Sequence, residues 1–299
     1  MEELKKCPLC ESDNFEFIMS AKDYFASKKE FNIVKCKDCE LRFTNPRPDK
    51  NEMKAFYDAK EYISHEDLNN SFFDKVYQKV KKRMIKKKIK LIKSLFTKKQ
   101  INVLDFGCGT GDFLVEAKKK NCWGIGVESN SNARNRALSK GIKVVGEMEK
   151  AANLPKQAFD VITFWHSLEH THDFKNTLDK LSTLLKPNGV FIIAIPEHRS
   201  YDAKVYKKFW AAYDLPRHLY HFEEKTLKKC LPDGNFMPFI KKGLLFDSYY
   251  ISLLSEKYKK RNKFFMFLCG VLIGFISNCK AKRKKYPYSS QLYVFRKLN

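Results

Sequence analysis

The sequence predicts an α/β fold: a doubly wound, mostly parallel sheet preceded by a small cysteine-bearing module. Three observations carry this. From Ile101 onward, apolar runs of strand length alternate with amphipathic runs of helix length, the pattern of a parallel sheet covered on both faces. Val103 to Gly111 reads V-L-D-F-G-C-G-T-G: a strand end, then a loop almost without side chains, then a helix over Asp112 to Lys120. Cys7-Pro8-Leu9-Cys10 and Cys36-Lys37-Asp38-Cys39 form two C-x-x-C knuckles within residues 1–50.

Composition sets the bounds on size, partners and compartment. The 299 residues suffice for one large domain and a small one, and 43% of them are hydrophobic, enough for a core. Lys and Arg number 58 against 34 Asp and Glu, a net charge of +24. Such a surface favours anionic partners: nucleic acid, an acidic membrane face or a phosphorylated substrate. The start, M-E-E-L-K-K-C-P-L-C, carries no apolar signal run, so a reducing cytoplasm is the expected compartment. There the nine cysteines are expected to be free or metal-bound.

The two knuckles lie 25 residues apart, with room for a long hairpin between them. Four thiolates suit one closed tetrahedral zinc site, with Cys7, Cys10, Cys36 and Cys39 as ligands. A redox reading would need a single knuckle between a strand and a helix. Asn45-Pro46-Arg47-Pro48 marks the exit from the module, because prolines disfavour helix before them. The chain then divides into residues 1–50, a basic helical region over 51–98, and the α/β domain over 99–299. In the helical region Phe73, Val76, Tyr77, Val80, Met84, Ile85, Ile89, Ile92 and Phe96 recur at helical spacing. Lysines including Lys81 and Lys88 fill the remaining face, either to meet an anionic surface or as an ordinary solvated face.

The glycine loop lacks Gly-Lys-Ser/Thr, so it is no P-loop, and its G-x-G-x-G is one residue short of the dinucleotide fingerprint. Asp105 would oppose a pyrophosphate but suits a ligand bearing cations, such as S-adenosylmethionine with its ammonium and sulfonium. Trp123 to Val127 reads as the next strand, ended by Glu128, which can accept both hydroxyls of a ribose. Asn130 to Lys140 is a helix stopped by Gly141. Ile142–Val145, Phe159–Trp165 and Val190–Ile195 read as further strands, with Phe174, Leu178, Leu181, Leu184 and Leu185 on the helix between the last two.

With Asp105, Gly107, Gly109, Gly111 and Glu128 in this order, the chain resembles the class I S-adenosylmethionine-dependent methyltransferases. The resemblance implies a Rossmann-like seven-stranded sheet whose last strand is antiparallel. It implies that those five residues bind the cofactor, with Glu147 and Met148 near the adenine. Cys7 through Pro48 likewise resembles the amino-terminal zinc module of a bacterial methyltransferase group linked to polysaccharide and other small-molecule biosynthesis.

His166-Ser167-Leu168-Glu169-His170 spells H-x-x-E-H, a zinc-protease signature, but it follows a buried strand instead of lying in a long helix. Members of the resembled family commonly place Glu-His here. Those that methylate ubiquinone precursors hold a divalent metal with Glu-x-x-Glu-His, and His166 stands where that cluster has its first glutamate. A metal at His166, Glu169 and His170, or a polar lining without metal, are both open. Trp210 to Phe222 is similar to the family segment that ends Pro-Arg-His-x-x-His-Phe, a loop over the strand ends where the acceptor binds. His170 and His218 are the candidate bases for a hydroxyl acceptor, assisted by Glu169. His221 is expected to cap the helix beginning near Glu223.

Phe264 to Ile276 contains no charge and is flanked by Lys and Arg, within a helical insertion at about 252–288 before the final strand Ser290–Lys297. It fits a membrane interface, or else a core or dimer hairpin. The expected function is S-adenosylmethionine-dependent methylation of a small-molecule, sugar or lipid-linked acceptor at oxygen, in the cytoplasm or peripheral at the inner membrane face. One alternative is RNA methylation, which Phe164-Trp165-His166-Ser167 argues against by replacing the Asn/Asp-Pro-Pro-Tyr motif. The other is a non-catalytic zinc adaptor, which the intact glycine loop argues against.

Overall fold

The computed structural model describes residues 1–57, 72–146, 151, 153–232 and 234–298. Its centre is a seven-stranded sheet. The strands are β4 (Ile101–Phe106), β5 (Cys122–Val127), β6 (Lys143–Val145), β7 (Phe159–Trp165), β8 (Leu185–Pro196), β10 (Phe236–Gly243) and β11 (Ser290–Lys297). They lie in the order β10-β11-β8-β7-β4-β5-β6. Pairings among β4 to β8 are parallel, and β11 runs antiparallel to both of its neighbours.

The strand sequences explain both faces. In β8, Phe191, Ile193 and Ile195 fall on one side and Val190 and Ile192 on the other, as the two-residue period of a strand requires. The first set packs with Phe174, Leu178, Leu181 and Leu184 of α5 (Phe174–Leu184), whose N-cap Asp173 accepts the Asn176 N–H at 3.2 Å. The second packs with Phe113, Leu114 and Ala117 of α3 (Asp112–Lys118) and with Ile85, Ile89 and Ile92 of α2 (Phe72–Ser94). A strand covered twice must be apolar throughout, and β7 is buried along nearly its whole length.

Of the region read as helical, α1 covers Lys50–Tyr57 and α2 covers Phe72–Ser94, and residues 58–71 lie outside the described residues. The side chains of Phe73, Val76 and Tyr77 lie outside the described residues. Lys88 departs from its expected solvated face, sitting 4.3 Å above the Trp165 ring.

The amino-terminal residues form β1 (Phe15–Lys22), β2 (Glu30–Cys36) and β3 (Arg42–Thr44), an antiparallel sheet completed by β9 (Tyr220–His221). The fourth strand is therefore supplied by the predicted acceptor segment. Helix α4 (Ser131–Ser139) follows β5, α6 (Tyr201–Tyr206) follows β8, and α7 (Glu224–Cys230) follows β9. His221 does not cap α7. Glu223 and Thr226 form that cap themselves, because Thr226 Oγ1 accepts the Glu223 N–H at 3.0 Å, and His221 is held in β9 opposite Arg42. The insertion is a helical hairpin, α8 (Leu245–Tyr258) and α9 (Lys263–Lys282), starting earlier than the apolar run indicates.

Candidate active site

The chain order of the sheet reverses beside β4, where β5 follows on one side and β7 lies on the other. The crevice at the carboxyl ends of such strands is where open α/β sheets bind ligands. Asp105 ends β4, buried, and its Oδ1 accepts the Thr163 hydroxyl at 2.6 Å. Burial pushes its carboxyl up to about 7, opposed by the Thr163 bond and the Lys88 ammonium. The loop beyond is tight on one side and open on the other. A Cβ on Gly107 would lie 2.5 Å from Ser167 Cβ, whereas a Cβ on Gly109 would meet nothing within 4 Å. Both have positive φ, which glycine adopts freely. Glu128 ends β5 and faces this loop: its Oε2 accepts the Gly109 N–H and its Oε1 the Asn130 N–H, each at 2.8 Å. A carboxylate has about four acceptor positions, so a ribose diol can still be bound. Asp105, Gly107, Gly109, Gly111 and Glu128 thus converge on one cradle. Glu147 and Met148 lie outside the described residues.

Lys88 also belongs to this neighbourhood. Burial draws its ammonium below the usual lysine range, while Asp105 and Asp247 draw it back. Its sequence signal is weak but real: it lies three residues after Ile85 and four before Ile92, at the edge of the buried stripe.

Beyond β7 the chain turns through His166, a non-glycine residue at φ 56°, and Ser167, whose hydroxyl donates to the Phe106 carbonyl at 2.6 Å. Glu169 is 1% exposed, and neither carboxylate oxygen has a hydrogen-bond partner among the described residues. Burial alone would raise its pKa, yet the neighbouring His166, His218 and His170 hold it below the ordinary carboxylate value. The His166 Nδ1 contact, at 3.6 Å, is an ion-pair distance and too long for a hydrogen bond. The ligand atoms of Glu169, His170 and His218 lie within 4.8 Å of one another. This trio differs from the expected one. His166 turns toward α8, with Nε2 3.2 Å from Asp247, and the carboxylates of Asp247 and Glu169 raise its pKa to about 9 against the cost of burial.

The imidazoles are oriented by backbone. His218 Nδ1 lies 2.9 Å from the Ala212 carbonyl and His170 Nδ1 3.1 Å from the Arg217 carbonyl. A carbonyl has no proton to give, so His218 Nδ1 carries the hydrogen and its Nε2 keeps the lone pair, whereas His170 Nδ1 also meets the Tyr57 hydroxyl at 2.8 Å, which can donate to it. Burial, then the nearby His218, pulls His170 down to about 4, so it is neutral at physiological pH. A small cavity of about 10 Å³, room for one water-sized occupant, is lined by Glu169, His198, His218 and His221 among others. A buried carboxylate with no donor among the described residues, beside two imidazoles, fits a divalent cation on donor chemistry. A larger cleft, about 470 Å³, opens beside Cys10, Cys39 and Cys230, away from the glycine loop.

The sheet of the cysteine module holds this cluster. Thr44 Oγ1 donates to the His218 carbonyl at 2.7 Å, and the Leu219 N–H donates to the Glu169 carbonyl at 2.8 Å. Arg217, fully buried, joins Asp214 at 2.6 Å and Asp23 of the β1–β2 turn at 3.4 Å. The four cysteines gather as well: Cys7 Sγ lies 3.4 Å from Cys39 Sγ, and Cys10 Sγ 3.6 Å from Cys36 Sγ. A tetrahedral zinc with Zn–S of about 2.3 Å needs S···S separations of about 3.8 Å, close to these.

Residues 79–237 match the family model described as a methyltransferase domain, slightly over half of the chain. The ubiquinone biosynthesis O-methyltransferase of Vibrio atlanticus is 36% identical over 102 residues, 32% of this chain and 42% of that protein. The enzyme of the same description from Coxiella burnetii is 29% identical over 133 residues, 42% of this chain and 56% of its own length. The matches thus span about half of these relatives. Among solved structures, a SAM-dependent methyltransferase from Archaeoglobus fulgidus aligns over 76% of this chain and 100% of its own, at 20% identity and a TM-score of 0.48. With its glycine cradle on a seven-stranded sheet, the chain belongs to this methyltransferase domain family.

Proposed function

We propose that this enzyme methylates a hydroxyl oxygen of a small-molecule, sugar or lipid-linked acceptor. The observation that carries the reading is Glu169: a buried carboxylate with no hydrogen-bond partner among the described residues, grouped with His170 and His218 and two residues beyond Ser167, which borders Gly107. The likeness to proteins described as ubiquinone biosynthesis O-methyltransferases supports oxygen as the acceptor atom.

In this reading Asp105 accepts the cofactor's ammonium, Glu128 the ribose hydroxyls, and Gly107, Gly109 and Gly111 give the ligand direct access to backbone. Lys88 neutralises the cofactor's carboxylate. Glu147 and Met148 are kept as adenine contacts from the family resemblance. The acceptor oxygen must approach the methyl carbon to about 3 Å in line with the departing sulfur. His218 Nε2 takes the hydroxyl proton. His170, kept neutral, orients the acceptor. In the metal-dependent alternative Glu169, His170 and His218 would hold a divalent ion, which supplies Lewis acidity to lower the acceptor's pKa, and His218 is then a ligand and not the base. Cys7, Cys10, Cys36 and Cys39 hold one zinc that shapes the acceptor side, and the enzyme works in the cytoplasm.

Incubating the enzyme with a cell extract and methyl-labelled cofactor tests the reading. A labelled small product whose methyl group resists acid and base as an ether does supports it. Label in RNA or protein alone refutes it. Stripping with EDTA separates the two chemistries: a bare histidine base tolerates it, whereas a metal-dependent enzyme stops and recovers with added divalent ion.

A further inference from the structure

We propose that the α8–α9 hairpin seats the enzyme on an anionic lipid bilayer, with α9 lying in the plane of the interface. α9 has 20 residues and a mean hydropathy of 1.8 over its most apolar window, of which only 22% is buried. Its two sides differ. Gly270, Gly274, Ser277 and Ala281 are buried, at helical spacing along one face. Phe264, Leu268, Leu272 and Phe275 fall on the opposite face and are 72%, 51%, 52% and 55% exposed. A water-soluble surface rarely presents so many large apolar side chains together.

The inner face explains why the helix lies on the surface instead of crossing a membrane. A Cβ on Gly270 would sit 2.9 Å from Leu253 Cα, and one on Gly274 2.9 Å from Tyr249 Cα, so α8 and α9 are in close backbone contact. Ser277 donates to the buried Asp202 at 2.7 Å, and the Asn278 amide donates to the Leu245 carbonyl at 2.9 Å. These contacts tie α9 to the protein from Gly270 to Asn278. A helix anchored this way can offer only its outer side to lipid.

Charge selects the occupant. Five Lys or Arg residues lie within 257–263 and five more within 280–285, and residues 257–299 contain no Asp or Glu. An anionic surface would meet both flanks favourably while the aromatic face enters the acyl boundary. A second copy packed on the same face would bring like-charged rims together.

The test is sedimentation of the full chain with phosphatidylcholine vesicles, with and without phosphatidylglycerol. Binding should require the anionic lipid, weaken with salt, and fall at least about tenfold when Leu272→Ser and Phe275→Ser are combined. The conservative Leu272→Trp keeps the helix apolar, and its added fluorescence should be quenched by brominated acyl chains. Absence of binding at low salt, binding unchanged in the double variant, or a tryptophan that stays unquenched on vesicles overturns the proposal. So does a concentration-dependent dimer that the double variant dissolves, since that assigns the face to a second copy. Cofactor titration of the same variants reports separately on the methyl-transfer site.

Discussion

Asp105 is a carboxylate that its surroundings make hard to ionise and that a cationic ligand would relieve. Its folded pKa of about 7 lies above the usual aspartate value, so between about 4 and 7 the folded state binds more protons than the unfolded one. Stability from this group is complete at low pH and is lost as pH rises through about 7. Cofactor affinity should run the other way, because the ionised form binds the ammonium. Titration of S-adenosylhomocysteine should show affinity rising from pH 6 to pH 8 in the wild type (values about one unit either side of the folded pKa). Asp105→Asn should bind weakly with the pH dependence flattened, and an unchanged slope would remove Asp105 from the role. Gly109→Arg should abolish binding by filling the space that backbone leaves open. These residues are legible in the sequence because their spacing is local. Lys88 is not, because one lysine among many on a basic helix differs only by its position at the stripe's edge.

At the scale of elements, the β3–β9 ladder makes the cysteine module and the acceptor segment parts of one sheet. Cys36→Ser should therefore increase hydrogen exchange in residues 1–50 and also in 214–222, while S-adenosylhomocysteine affinity stays within about threefold. Protection lost only from residues 1–50 would uncouple the two. Arg217 extends the same link, and Arg217→Ala leaves Asp214 and Asp23 short of their buried cation. The expected loss is about 3–5 kcal/mol in chemical denaturation. A loss below about 1 kcal/mol would make the contact incidental. The long buried strands are readable as apolar runs, and Gly141 marks the end of α4. A two-residue strand such as β9 has no period to read, and its partner lies far away in the chain. The hairpin boundary is hidden for a related reason: Ser248, Ser252 and Ser255 of α8 are buried yet look polar in the sequence.

In the molecule as a whole, one end of the sheet carries the chemistry, and three separate parts of the chain close around it. The glycine cradle comes from β4 and β5, the Glu169–His170 turn from β7, and His218 from the segment clamped by the cysteine module. Asp247 adds the hairpin by its contact with His166. Sequence spacing puts Glu169 and His170 together but not His218, which tertiary folding brings across from beyond β8. The family resemblance adds His166 to them, whereas its side chain turns toward Asp247, a direction that the sequence does not carry. The claim that Glu169 serves the chemistry, and not cofactor binding, has a direct measurement. Glu169→Gln is compared with wild type for S-adenosylhomocysteine affinity and for methyl transfer at saturating cofactor. Affinity is expected to stay within about threefold of wild type while turnover falls at least about a hundredfold. Turnover near the wild-type rate, or a parallel loss of cofactor affinity, would contradict that role.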